Sequence, residues 1–441
     1  MKIDLPQSVN AIISRLEQNG YEAWAVGGCV RDSLLGRKPK DWDITTSALP
    51  HEIKRIFTRT IDTGIEHGTV TVMYEGTGYE TTTYRIDGKY SDSRHPDSVE
   101  FSRSLDEDLK RRDFTINAMA YSDNGGIVDL FGGINDLNDR IIRCVGNPIE
   151  RFSEDALRIL RAIRFSAELD FDIDPDTLEA AAQLKDRLKL ISAERIHVEL
   201  EKLIMSSHPE KIAFLHSTGV DEIILPELKK AIESESAGEH ENSVRTENAD
   251  NPANIYNPAD SHGFQICRQD DPLTVKTLSA LLSSAPHDKR IRWAILLHVT
   301  KSNTDLLQRL KFDNNTIHAV SELLCLENEK LVGLTDAEMR RLMHNAGSDN
   351  MPLLFEYRHA IDPEADLKCA IAQYEAVLHR GECTCLKELA VRGTDLIGCG
   401  VPAGKEIGRV LNLLLAKVIE VPELNTKEAL LKEAAHLSTA K

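Results

Sequence analysis

The 441-residue chain has no long apolar run, and this absence argues against a protein that spans a membrane by helices. No segment approaches the roughly 18–20 consecutive apolar residues that a helix needs to span a bilayer. Residues 1–6 also lack the apolar core of a secretory signal. We therefore expect a cytoplasmic protein without a membrane partner.

Basic residues are in deficit, since 53 Lys and Arg stand against 71 Asp and Glu, a formal net charge of −18. This balance speaks against a protein that coats nucleic acid by bulk positive charge, although it allows one local basic groove. The eight cysteines are irregularly spaced, which is typical of reduced cytosolic thiols and argues against a disulfide scaffold. The length allows two to four domains with cores of their own.

Hydrophobic periodicity predicts an α+β head followed by a long helical remainder. From residue 104 onward the pattern predicts mainly helices, with a turn at 129–133. Residues 86–98 are polar and predict a loop, and the acidic stretch 233–271 predicts a disordered insertion or long loop. In the head we predict helices at 8–20, 30–35 and 47–57 and strands at 21–26, 41–45, 68–73 and 79–84.

The first candidate site combines a glycine pair with two carboxylates. Asp41 and Asp43 are two residues apart in a predicted strand, so both should share one face and could hold Mg²⁺ for phosphoryl transfer. Glu80, on a predicted neighbouring strand, is a candidate third carboxylate. Gly27 and Gly28 precede a predicted helix, where the backbone can approach a triphosphate. Each feature alone is often structural, and their combination carries the hypothesis.

Two arginines near these segments add positive charge for a nucleotide. Arg31 lies in the predicted helix after the glycine pair, and Arg112 could hold a triphosphate. Asp113 and Asn117 are four residues apart on a predicted helix, so they could pair with each other.

A third segment carries an arginine stripe beside two acids. Arg158, Arg161 and Arg164 recur every three residues, within roughly a 120° arc of a helix. Asp155 could accept from the exocyclic amine of cytosine or adenine, while a guanidinium donates to a ring nitrogen or carbonyl. Glu154 is a further candidate. The alternative is a solvated charged face whose acids stabilise a helix start.

Four segments occur in an order that resembles the motifs of the class II tRNA nucleotidyltransferases, the CCA-adding enzymes of the tRNA nucleotidyltransferase/poly(A) polymerase family. The segments are 27–43, 111–118, 129–133 and 154–158, and similarity returns at 393–396 and 404–411. The resemblance implies a small mixed-sheet head and an all-helical neck, body and tail. We place these at residues 1–140, 141–215, 216–330 and 331–441.

The resemblance also implies the reaction, the partners and the site. CCA would be added to the 3′ end of an immature tRNA from CTP and ATP, without a nucleic-acid template and with release of pyrophosphate. Asp41 and Asp43 would bind Mg²⁺, and two such ions would promote attack of the tRNA 3′-hydroxyl on the α-phosphate. The residues that would contact CTP or ATP are Gly28, Arg31, Arg112, Asp155, Arg158, Arg161 and Arg164.

Three alternatives remain open at this point. A poly(A) polymerase shares the head motifs but typically has a basic C-terminal extension, which this acidic chain lacks. An enzyme that adds only A is a second alternative. In the family that the chain resembles, the loop after the third head strand is needed for the switch to A. Residues 85–101 retain such a loop, which argues against an enzyme that adds only C. The third is a catalytically dead tRNA-binding protein, which would have lost a metal carboxylate.

Overall fold

The computed structural model describes residues 2–87, 99–243 and 272–439. The chain divides into two compact units. The first comprises residues 1–283 with 309–311, and the second comprises 284–308 with 312–441. The division into head, neck, body and tail stays a prediction.

A mixed seven-stranded sheet forms the head of the first unit. Its strand order is β3-β4-β5-β2-β1-β8-β9, with β2 and β5 parallel and the other neighbours antiparallel. The described strands are β1 (Ala23–Val26), β2 (Asp43–Thr46), β3 (Thr60–Gly64), β4 (Thr69–Tyr74), β5 (Thr77–Thr83), β6 (Arg85–Asp87), β7 (Val99–Phe101), β8 (Met119–Ser122), β9 (Gly126–Asp129), β10 (Ile141–Ile142) and β11 (Asp172–Ile173).

Helices make up most of the remainder. Up to residue 284 they are α1 (Gln7–Gln18), α2 (Gly28–Leu34), α3 (Pro50–Ile56), α4 (Leu105–Lys110), α5 (Gly133–Asp139), α6 (Pro148–Glu154), α7 (Leu157–Leu169), α8 (Pro175–Leu184), α9 (Ala193–Ile204), α10 (Ala213–Ser217), α11 (Asp221–Ile224), α12 (Pro226–Ser243) and α13 (Leu273–Ser284). The later ones are α14 (Lys289–Thr300), α15 (Asp305–Arg309), α16 (Asn314–Cys325), α17 (Asp336–Ala346), α18 (Met351–Ile361), α19 (Lys368–His379), α20 (Gly393–Gly398), α21 (Lys405–Glu420) and α22 (Lys427–Thr439). The predicted α+β fold class is confirmed.

Pairing of β1 with β2 positions the first candidate site. β1 carries buried apolar side chains, and α1 packs against it through Val9, Ile12, Ile13 and Leu16, which recur at helical spacing. The antiparallel register sets Asp43 opposite Val26, the last residue of β1. The chain then turns at Gly27 into α2, so Asp43 lies beside the glycine turn.

The prediction that the chain becomes mainly helical after residue 104 was wrong for residues 119–129. This segment forms β8 and β9, and β8 pairs with β1 in the sheet. All four residues of β8 are buried, so the strand lacks the alternation that would distinguish it from a buried helix.

The predicted helix around residues 111–118 was also wrong. α4 ends at Lys110, Phe114 forms an isolated bridge with Cys144, and Thr115–Asn117 is a single 3₁₀ turn. The backbone N–H of Thr115 donates to the carbonyl of Arg143 at 2.9 Å. Long-range hydrogen bonds such as this one, and not the regular hydrogen bonds of an α-helix, hold the segment in place.

The predicted insertion begins later than expected, because α12 continues to Ser243. Glu235 accepts hydrogen bonds from the backbone N–H groups of Leu273 and Thr274, at 2.7 and 2.9 Å, and therefore caps α13. Residues 244–271 of the predicted insertion lie outside the described residues, as do residues 88–98 of the predicted head loop. The flanks of that loop pair as β6 and β7.

Within residues 2–87, 99–243 and 272–439, no helix combines the length and the apolar character that crossing a bilayer requires.

Candidate active site

Asp41 and Asp43 lie at one exposed edge of the sheet. β2 begins at Asp43, so the predicted strand start at Asp41 was wrong, and Asp41 lies in the segment that leads into the strand. Glu80 lies on β5, whose Thr81 pairs with Ile44 in the parallel register, so Glu80 is beside Asp43 on the neighbouring strand. The three carboxylates are all solvent-exposed.

Burial and neighbouring charges together shift the pKa of Asp43 at this edge. Partial desolvation raises the pKa of Asp43 above its ordinary value, Arg112 opposes the shift, and the charges of Glu80 and Asp41 reinforce it. A cation would relieve this repulsion, and carboxylate oxygens are the ligands that Mg²⁺ prefers. Among the described residues, no group of three or more His, Cys, Asp or Glu converges as a complete metal site. Asp41 and Asp43 are exposed carboxylates close together in the chain, and such a pair fits a divalent cation that takes its remaining ligands from substrate oxygens and water.

The glycine turn brings the backbone close to Arg112. Gly27 has φ +82° and ψ −133°, a conformation that only glycine adopts readily. A Cβ at Gly27 would lie 3.0 Å from Nη1 of Arg112. Asp108 holds Arg112 through an ion pair of 3.3 Å, and Nε of Arg112 is buried without a hydrogen-bond partner among the described residues. The turn and Arg112 thus form one wall of the candidate site.

Arg31 is buried and fully engaged. Its Nη1 donates to Oδ1 of Asn117 at 2.7 Å, and its Nε donates to Oδ1 of Asp32 at 2.8 Å. The guanidinium also lies over the ring of Phe165 at 5.1 Å, a cation–π contact. Arg31 therefore connects α2 of the head to α7.

Asp113 connects the segment 111–118 to α7 through its hydrogen bonds. It accepts hydrogen bonds from the backbone N–H of Phe114 at 2.8 Å and from Nδ2 of Asn117 at 3.1 Å. The predicted pairing of Asp113 with Asn117 is confirmed, although it occurs across a turn. Arg161 of α7 donates to Asp113 from Nε and Nη2, at 2.8 and 2.5 Å.

The arginine stripe is distributed among four acidic partners. Arg158 binds Glu154 at 2.6 Å, and Arg161 binds Asp113. Arg164 binds Glu199 of α9 at 2.7 Å and Glu168 of its own helix at 2.9 Å. Arg161 is the most exposed of the three, with 34% of its side chain accessible. Arg164 is buried, so its contacts hold α7 against α9.

Asp155 lies in a break between two helices. α6 ends at Glu154 and α7 begins at Leu157, so the predicted single helix through this motif was wrong. Oδ1 of Asp155 accepts from the backbone N–H of Leu157 at 3.1 Å. Arg195 of α9 binds the same carboxylate, with Nη2 2.7 Å from Oδ2 and Nη1 3.4 Å from Oδ1.

Sequence reasoning missed Arg195, Glu199 and Asp108. Arg195 is 40 residues from Asp155, and no periodic signal links the two positions. The acidic residues Asp108 and Glu199 read as ordinary helix charges, yet Asp108 is completely buried between two arginines and the hydroxyl of Thr45. A buried carboxylate of this kind is visible only once the helices are packed.

Three family models match successive parts of the chain. Residues 23–143 match the poly A polymerase head domain, 170–232 match a model for the RNA- and SrmB-binding site of polymerase A, and 285–434 match tRNA nucleotidyltransferase domain 2. The head fold and its acidic edge agree with these matches. Fold and site thus define a nucleotidyltransferase, a class that generally uses a divalent metal.

The more specific assignment comes from relatives along the whole chain. The chain is 38% identical to the CCA-adding enzyme of Limosilactobacillus fermentum, with 100% of each chain covered, and 37% identical to that of Lacticaseibacillus paracasei, with 99% covered. The crystal structure of the Bacillus stearothermophilus CCA-adding enzyme in complex with CTP aligns with a TM-score of 0.75 at 32% identity, covering 98% of this chain and 97% of that one. The chain belongs to the CCA-adding enzyme family.

Proposed function

We propose that this chain adds C, C and A in turn to the 3′ end of immature tRNA, using CTP and ATP and releasing pyrophosphate. The observation that carries the proposal is the exposed acidic edge where Asp43 lies opposite Val26, next to the glycine turn and Arg112. The CCA-adding enzymes that match this chain along their full length support the choice of reaction. The cytoplasm, where tRNA matures, is the proposed compartment.

Asp41 and Asp43 would hold Mg²⁺, with Glu80 as a further candidate ligand. Bound magnesium would activate the tRNA 3′-hydroxyl for attack on the α-phosphate and offset charge on the triphosphate. The protein's own part is to hold these carboxylates at a solvent-accessible edge, so that the hydroxyl and the α-phosphate can meet there.

The triphosphate would lie along the glycine turn. The backbone at Gly28 starts α2, and the first N–H groups of a helix have no partner within it. Among the described residues, the buried Nε of Arg112 also lacks a hydrogen-bond partner. Arg31, engaged with Asn117 and Asp32, would keep this helix in place and add positive charge. Most of the rate enhancement would come from such positioning and charge stabilisation.

The base would be selected by Asp155 and Arg158. Asp155 would accept from the exocyclic amine that cytosine and adenine share, and Arg158 would donate to the base. Glu154 holds Arg158 at 2.6 Å and would set its direction. Arg161 and Arg164 would complete the nucleotide site, Arg161 from its partly exposed position and Arg164 by holding α7 to α9.

The net charge of −18 is compatible with tRNA binding. Contacts to phosphates need only a local cluster of basic groups, and magnesium offsets the active-site carboxylates. We therefore expect affinity for tRNA to fall steeply as salt rises.

The test is incorporation of labelled CTP and ATP into a tRNA that ends before CCA, with and without Mg²⁺. We expect Asp41→Asn and Asp43→Asn to lose incorporation by about 1,000-fold or more while tRNA binding persists, since each removes transition-state stabilisation worth several kcal/mol. Asp62→Asn is the matched control, because Asp62 is an exposed head carboxylate in an ion pair with Lys54.

Other outcomes would replace the proposal by one of its alternatives. Incorporation of many adenosines would indicate a poly(A) polymerase, and A without C would indicate an A-adding enzyme. Intact tRNA binding without any incorporation would indicate a catalytically dead binding protein. Activity of Asp43→Asn equal to that of Asp62→Asn would refute the proposed metal site.

A further inference from the structure

Helix α9 packs against Asp155 and α7, the segment proposed to select the base. Two charged residues of α9, one helical turn apart, make the contacts. Arg195 binds Asp155, and Glu199, four residues later, binds Arg164 of α7 at 2.7 Å. Residues four apart lie on the same face of a helix. One face of α9 therefore binds the break before α7 through Arg195 and the middle of α7 through Glu199.

The Asp155–Arg195 pair is well shielded, with 16% and 24% of the two side chains accessible. Both carboxylate oxygens face a guanidinium nitrogen, at 2.7 and 3.4 Å. Oδ1 also accepts from the backbone N–H of Leu157. Asp155 lies in an interhelical break with extended backbone, φ −137° and ψ 105°, so no helical ladder holds its side chain. Its direction depends on Arg195 and on Leu157.

We propose that Arg195 is a positioning residue for nucleotide selection, because it fixes the direction of the Asp155 carboxylate. This inference rests on the proposed function, in which Asp155 accepts from the base amine. An ionised carboxylate has about four lone-pair sites. Arg195 and Leu157 together occupy three of them, two on Oδ1 and one on Oδ2, so one site on Oδ2 remains for a base. UTP and GTP present carbonyl oxygens where CTP and ATP present an amine, and a fixed acceptor rejects them.

Loss of Arg195 would release Asp155 to rotate, and with rotation the penalty against a carbonyl would fall. The effect should therefore appear in the ratio of kcat/KM for CTP over UTP, and in the same ratio for ATP over GTP. A residue that merely supports the fold would lower kcat for all four nucleotides and leave both ratios unchanged.

The experiment measures these ratios for the wild type, Arg195→Met, Arg195→Lys, Asp155→Ala and Arg143→Met, with tRNA substrates ending before C and before A. Arg143→Met is the control, since Arg143 pairs with Asp136 and Asp174, away from any proposed nucleotide contact. We expect Arg195→Met to lower discrimination about tenfold, the size of one good base contact. The discrimination of Arg195→Lys should lie between that of the wild type and that of Arg195→Met, because an ammonium keeps the charge but cannot bind both oxygens in the same geometry.

Wild-type discrimination in Arg195→Met, or in Arg195→Lys should the methionine variant fail to fold, would overturn the inference. An equal loss of kcat for all nucleotides with unchanged ratios would do the same. Failure of the underlying function has a different signature, because then the wild type itself would not incorporate CTP or ATP. If Asp155→Ala kept its selectivity, the premise about Asp155 would fall, and the role of Arg195 with it.

Discussion

Buried charge at Asp113 shows how single residues link the head to the helices that follow it. Burial alone would raise the pKa of this carboxyl, but the charge and hydrogen bonds of Arg161, with the amide of Asn117, hold the pKa well below its usual range. The carboxylate is thus ionised throughout the physiological range and is paired in the folded state.

We predict that Asp113→Asn lowers the free energy of unfolding by about 3 kcal/mol at neutral pH, the lower end for a broken buried pair, because Arg161 is a third exposed. A carboxyl whose folded pKa is depressed adds stability above its unfolded pKa of about 3.9, and this stability is lost as the pH falls further. Urea unfolding at several pH values measures both effects.

In that series the wild type should lose stability below about pH 4 more steeply than Asp113→Asn, since only the wild type carries the depressed group. Asp62→Asn serves again as the control, because its ion pair with Lys54 is solvent-exposed and should contribute little. Parallel pH profiles for Asp113→Asn and the wild type would contradict the assignment.

Local sequence predicted the chemistry of the site residues better than their partners. A carboxylate or guanidinium has its donors and acceptors in any fold, so Asp43, Arg112 and Asp155 could be singled out from residue type and spacing. That Asp155 meets Arg195 depends on two segments 40 residues apart in the chain. The burial of Asp108 depends on packing against the sheet, where the hydroxyl of Thr45 donates to it from 63 residues away.

At the scale of elements, the turn between β1 and α2 depends on one glycine. Gly27 combines a positive φ with the close approach of Arg112, so a side chain there would meet both backbone strain and a steric conflict. Gly20 also has a positive φ, of +86°, but no atom lies within 4 Å of a Cβ built there. A side chain at Gly20 would therefore meet backbone strain alone, whereas one at Gly27 would also meet steric crowding.

We predict that Gly27→Ala destabilises the protein by about 1–3 kcal/mol and raises KM for CTP, because the added methyl displaces Arg112 from the site wall. Gly20→Ala should cost about 1–2 kcal/mol through strain and leave KM unchanged. Thermal unfolding and steady-state kinetics on both variants measure the difference. An equal KM in the two variants would show that Arg112 does not line the nucleotide site.

At the scale of the whole molecule, the chain has two compact units with cores of their own. The nucleotide residues proposed above all belong to the first unit. The second unit contains a core cluster in its last helices, including Leu396, Val410, Leu414 and Val418. Large chains of this kind often unfold in more than one step.

We predict that calorimetry resolves two transitions and that CTP with Mg²⁺ raises only that of the first unit, since a ligand stabilises the unit it binds. Leu414→Ala should destabilise the second unit by about 2–5 kcal/mol, and Leu16→Ala should do the same to the first. Both leucines are fully buried, which makes them a matched pair. A CTP-induced shift of the transition that Leu414→Ala lowers would contradict this assignment.

The amino-acid sequence by itself determined the α+β class, the presence of the paired carboxylates Asp41 and Asp43, and the order of the motifs. These features depend on side-chain chemistry and short-range periodicity, which the linear chain contains. Tertiary structure alone decided that residues 119–129 join the sheet, that the segment after Lys110 is a turn, and that α9 holds Asp155. The physical reason is that a strand buried on both faces, a backbone paired at long range and an ion pair 40 residues apart leave no local periodic signal.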